Sequence, residues 1–76
     1  MAVDLVEIAC EEKQRRDLPR VQAVRLRLGA RSGVVKDALV FSFEVAAAGT
    51  CIEGAMLQVE DTAGHEIELF ALEVID

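Results

Sequence analysis

One histidine, two cysteines and fourteen acidic residues are the groups in this 76-residue chain that can ligate a metal ion or move a proton. His65 stands beside Glu66, so one ring nitrogen and one carboxylate offer a cation two donors. Nickel(II) needs several nitrogen, oxygen or sulfur donors converging on one point. A tetrahedral zinc site normally takes four, supplied most often by cysteine pairs at short spacing. Cys10 and Cys51 belong to no such pair. They read as reduced thiols packed like small apolar residues. A disulfide between them is geometrically allowed, and a reducing compartment opposes it. His65 and Glu66 are therefore the only metal-ligand candidates, and a lone turn histidine is more often simply solvated.

Other chemistry finds less support. Ser32 and His65 with any acid make a nominal hydrolytic triad, but no nucleophile motif surrounds Ser32. Glu11-Glu12 and Glu60-Asp61 are sequence neighbours, so regular structure points their carboxylates apart. The Gly29-Ala30-Arg31-Ser32-Gly33 segment is glycine-rich ahead of a helix, where anions can bind. It lacks both the Gly-Lys-Ser/Thr ending and the G-x-G-x-x-G spacing. No catalytic residue and no cofactor-binding residue is expected, and the chain is read as not an enzyme.

The elements that must position these groups follow from periodicity. Residues 2–16 read as a helix, with Asp4, Glu7, Glu11 and Gln14 on a wet stripe and Leu5, Ile8 and Ala9 opposite. Lys13, Arg15 and Arg16 suit its negative end, and Asp17-Leu18-Pro19 stops it. Residues 21–28 alternate: Val24, Leu26 and Leu28 on one face, Arg25 and Arg27 on the other. A turn follows, with Ser32 a candidate helix cap. Residues 36–48 form the second helix, with Leu39, Phe43 and Ala46 at helical spacing and Val40 and Ala47 beside them. Phe41 lies partly off that face, and the phenylalanines are read as core. Gly49 ends the helix. After a loop at 50–54, residues 55–61 make a strand with Leu57 and Val59 inward. A tight turn at Ala63-Gly64 predicts an antiparallel hairpin with the last strand. There Ile67, Leu69 and Ala71 share one face and Phe70, Leu72 and Val74 the other, which predicts a bulge or a covered tail.

The expected fold is thus α+β, in the order helix-strand-helix-strand-strand. Both helices pack on one face of a small mixed β-sheet, whose other face carries a ladder of Arg and Glu. One domain spans residues 1–76, and a chain this short buries only about 60% of its unfolded surface.

Hydrophobic residues make up 53% of the chain, which argues against disorder. No apolar run approaches the roughly 20 residues that span a bilayer. The opening residues include Asp4 and Glu7, unlike a signal peptide. Cytoplasmic localisation is expected, with no membrane partner. The net charge of −6 is unevenly laid out: all eight basic residues lie between Lys13 and Lys36, and Asp37 to Asp76 holds nine acids and no Lys or Arg. Pairing across the fold explains this, with Arg25 and Arg27 facing Glu60, Glu66 or Glu68. No aromatics interleave with the bases, so nucleic acid is not an expected partner.

The stretch from Val24 to Asp61 resembles the HypA/HybF family of nickel-incorporation proteins in nickel–iron hydrogenase maturation. The residues that carry the resemblance are Arg25-Leu26-Arg27-Leu28-Gly29, Ser32-Gly33-Val34, Ala38-Leu39 with Phe41 and Phe43, Gly49-Thr50, and Glu53-Gly54. It extends less strongly back to Leu5 and forward to Asp76. The family's opening Met-His-Glu strand, whose histidine ligates nickel, and its zinc-binding insertion with two Cys-x-x-Cys pairs have no counterparts among these residues: residues 1–7 resemble the family's first helix. The resemblance implies a truncated or degenerate metallochaperone domain that keeps the scaffold while the nickel and zinc ligands of the complete family member, and its zinc-binding domain, are absent. It implies a hydrogenase precursor and a maturation GTPase as partners. The alternative is a metal-free interaction or dimerisation module on the same scaffold, a homodimer forming through an exposed sheet edge.

Overall fold

The computed structural model describes residues 1–75; Asp76, the last residue of the expected domain, lies outside the described residues. Five elements follow in the expected order: α1 (Ala2–Arg15), β1 (Arg20–Gly29), α2 (Lys36–Ala47), β2 (Met56–Thr62) and β3 (Ile67–Ile75). The architecture is α+β, two helices on a three-stranded mixed sheet. No described helix is long and apolar enough to cross a membrane.

The helices bury the stripes that their spacing allows. In α1 these are Leu5, Val6 and Ala9, with Cys10 packed alongside. Ile8, expected inward, is 47% exposed, because the stripe leans toward Val6 and away from position 8. In α2, Leu39, Phe43 and Ala47 are buried and Val40 and Ala46 partly so. Phe41 departs from the core reading: it is 67% exposed, whereas Phe43 is fully buried. Two residues apart on a helix is about 200° of rotation, so one core cannot receive both rings.

Ser32 does not cap α2. Val35 occupies the cap position without a side-chain bond, and Ser32 Oγ instead accepts the Val34 N–H at 3.3 Å, a local turn just before the helix. At the far end Gly49 has φ +79°, a left-handed angle that glycine adopts without steric cost, and its N–H donates to the Glu53 carboxylate at 2.9 Å.

The strand order is β2-β1-β3. β1 pairs in parallel with β2 and antiparallel with β3. The hairpin expected between the last two strands therefore does not form. The connection at residues 63–66 crosses the end of β1 and delivers β3 to its other side. Gly29 makes room for that crossing: a Cβ there would collide with the Gly64 carbonyl. The Gly29 N–H donates to the Glu66 carbonyl at 2.7 Å, Ala30 N–H to Thr62 at 2.8 Å and Arg31 N–H to Gly64 at 2.9 Å.

β3 contains the expected bulge. Arg25 pairs with Ala71 but Leu26 with Leu69, which leaves Phe70 as the extra residue. A bulge shifts the alternation by one. Leu69 and Leu72 consequently both pack against the core, although they are three residues apart. The core itself centres on Phe43, Leu26, Ile52 and Val24.

Candidate functional site

Four places gather the side chains that can bind or react. The first is the junction of the 29–33 turn with the 63–66 turn. His65 Nδ1 lies 3.0 Å from the Arg31 carbonyl, so the Nδ1–H tautomer donates there and leaves Nε2 outward. Glu66 turns to Thr62, whose hydroxyl donates to its carboxylate. That bond, followed by backbone donors, holds Glu66 below the usual carboxylate range. His65 and Glu66 are thus neighbours, each directed to a different partner. Ser32 Oγ is occupied by the Val34 N–H, and His65 reaches the Arg31 carbonyl rather than Ser32. The turn amides at Gly29, Ala30, Arg31 and Ser32 all donate to protein carbonyls, so they do not form an anion cradle.

The second place is the outer face of the sheet. Arg27 meets Glu68 at 3.5 Å and Glu60 at 4.0 Å. Arg25 and Glu66, also expected in this ladder, take other partners: Arg25 stands over the Phe70 ring at 5.4 Å, and Glu66 bonds Thr62. Such half-exposed ion pairs are worth at most about 1 kcal/mol each. Asp61 pairs with Lys36 at 3.3 Å, while Glu60 faces Arg27, so this carboxylate pair diverges as expected. On α1, Glu12 bonds Arg15, which lowers its pKa.

The third place was not legible from spacing. The Cys51 thiol, in the loop after α2, lies beside the Cys10 thiol of α1. Ala9 and Ile52, the next residues along, share the buried cluster that brings these segments together. Cys51 is exposed as a residue, but local desolvation pushes its thiol up, the Cys10 thiol acts in the same direction, and Lys13 opposes them. Both cysteines are free. No group of three or more His, Cys, Asp or Glu side chains converges as a metal-holding cluster among the described residues.

The fourth place is an apolar groove of about 670 Å³ between the start of α1 and the outer side of α2, lined by Val3, Val35, Ala38, Phe41 and Val45 among others. Its signal in the sequence is the Phe41-to-Val45 helical spacing on the side away from Phe43.

Comparison with known proteins adds a second line of observation. A family model described as hydrogenase/urease nickel incorporation, metallochaperone, hypA matches residues 1–67. A hydrogenase maturation factor HypA of Roseiflexus sp. (strain RS-1) is 54% identical over 61 residues, covering 80% of this chain and 50% of that protein. The HypA of Chloroflexus aurantiacus is 46% identical over 61 residues, covering 80% and 54%. The HypA of Thermomicrobium roseum is 31% identical over 84 aligned positions, covering 100% of this chain and 64% of its own. The chain spans about half the length of the first two of these relatives.

Proposed function

The chain belongs to the HypA family of hydrogenase/urease nickel-incorporation metallochaperones, and from that membership we propose that it serves nickel delivery as the family's α/β scaffold, with no tight nickel site among its own side chains. The observation that carries this reading is a contrast. The family match runs through α1, β1, α2 and β2, yet the described residues bring no three donors together. Nickel is cargo in such a role. It has to be held by donors that can also release it, and His65 with Glu66 offers only a weak surface contact.

Zinc, the resident ion that the family resemblance implies, does not fit the donors present. Cys10 and Cys51 supply two thiols where a closed tetrahedral site takes four ligands. The 63–66 connection, where the resemblance puts the cysteine-bearing insertion, is a short turn fastened to the end of β1. The reading is therefore of a truncated or degenerate HypA-like unit over residues 1–76: non-catalytic, acting in the cytoplasm, docking to a hydrogenase precursor and a maturation GTPase while ligands elsewhere grip the ion.

Calorimetric titration of this chain with nickel tests it. Heats consistent with weak surface binding alone are expected. A stoichiometric site of about micromolar affinity or tighter overturns the proposal.

The alternative is a metal-free dimerisation module. The outer edge of β3 favours it, since Ile67, Val74 and Ile75 are exposed on a strand paired on one side only. Concentration-independent sedimentation as a monomer argues against that alternative.

A further inference from the structure

We propose that the groove between the start of α1 and the outer side of α2 is the docking site for an amphipathic helix of a partner protein, apolar on one face and flanked by Lys or Arg. The proposal goes beyond nickel delivery and does not depend on it.

The apolar evidence is concentrated. Val35 and Phe41 are each 67% exposed, Val45 61% and Val3 59%, and all four line the one groove of about 670 Å³. Single exposed apolar residues are ordinary, but several large ones around one concavity mark an interaction surface. Phe41 and Val45 are one turn apart on α2, the spacing that meets anchors at i and i+4 on a facing helix. The 12 residues of α2 rise about 18 Å at 1.5 Å each, so a partner of about three turns would lie along it.

Charge decides the occupant. Asp37 lies one turn before Phe41 and Glu7 one turn beyond Val3, and both are exposed; Glu44 instead lines a separate hollow with Ala47 and Met56. Neither Asp37 nor Glu7 makes a salt bridge among the described residues. The nearest lysine, Lys36, is drawn to Asp61 at 3.3 Å. Asp4 is met at 4.0 Å by the Met1 amine. A second copy of this chain would set one acidic rim against another, on molecules that each carry a net charge of −6. Like charges placed together oppose association, whereas a basic rim on the partner is complementary. Arg25 and Arg27 of β1 lie on the outer face of the sheet and Arg20 reaches toward Gly54 in the loop after α2, so none of the three lines the groove.

Two labelled helical peptides with the same leucine pattern test this, one flanked by lysines and the other by glutamates, titrated by fluorescence anisotropy. The lysine peptide should bind at least about tenfold more tightly than the glutamate peptide. Phe41→Ala should weaken it by about tenfold or more while leaving the circular dichroism spectrum unchanged, since that ring is outside the core. Asp37→Lys with Glu7→Lys should remove or invert the preference. Equal binding of the two peptides overturns the proposal. So does binding unaffected by Phe41→Ala, or a dimer in sedimentation that Phe41→Ala dissolves, which would make a second copy the occupant.

Discussion

Arg27 holds its guanidinium carbon 4.0 Å from the centroid of the Phe70 ring. The contact exists because the β3 bulge places Phe70 as an extra residue on the outer face, between the pairs Arg25–Ala71 and Leu26–Leu69. A cation over an aromatic face at an exposed site contributes about 0.5–1 kcal/mol. A double-mutant cycle of Arg27→Gln and Phe70→Leu in urea should return a coupling energy of that size. A coupling indistinguishable from zero would show the pair to be adjacent without interacting.

Gly29 and Gly33 should respond differently to alanine. At Gly29 a Cβ meets the Gly64 carbonyl, which is backbone and held by the Arg31 N–H. Gly29→Ala should therefore cost roughly 1–3 kcal/mol through overpacking. At Gly33 nothing lies within 4 Å, and only its φ of +79° opposes a side chain. Gly33→Ala should cost about 1 kcal/mol. Urea midpoints of the two variants compare them directly.

The two α2 phenylalanines should separate by a wider margin. Phe43 is fully buried, so Phe43→Ala should cost about 3–5 kcal/mol. Phe41→Ala, at an exposed position, should stay within about 0.5 kcal/mol. Thermal or chemical denaturation that ranks them the other way would contradict the placement of α2.

Glu66 should titrate below the ordinary glutamate range when followed by NMR, because Thr62 donates to its ionised form. Removing that donor with Thr62→Val should move the midpoint up. A folded-state pKa below the unfolded one means that any stabilisation is present above the ordinary range and is lost as pH falls through the folded value. Full exposure of this carboxylate keeps that stabilisation small.

Alkylation rates should identify the cysteine neighbours. The Cys51 thiol is raised first by local desolvation and then by Cys10, so its reaction with iodoacetamide should accelerate only above the ordinary cysteine range. Cys10→Ser should bring that pH midpoint down. A midpoint unchanged by Cys10→Ser would place the two thiols apart.

Local pattern was enough to determine the elements. Alternation from Val21 to Leu28 made a strand, helical spacing of Leu39 and Phe43 made a helix, and two apolar faces in the last strand signalled the bulge that appears at Phe70. These are readable because side-chain periodicity is a property of one segment and its own backbone. The family resemblance, carried by residues between Val24 and Asp61, was likewise visible before any coordinates, and the match over residues 1–67 agrees with it.

What tertiary structure alone decided was how segments meet. The turn at Gly64 signalled a reversal, but only the missing Cβ at Gly29 let the chain cross the end of β1 and place β3 on its far side. The juxtaposition of Cys10 with Cys51 depends on Ala9 and Ile52 entering one cluster, and their separation along the chain carries no trace of it. The exposure of Phe41 follows from Phe43 being chosen for the core. Each of these is a competition between distant segments for the same space, and a period of 2 or 3.6 residues says which face a side chain occupies but not what will arrive to cover it.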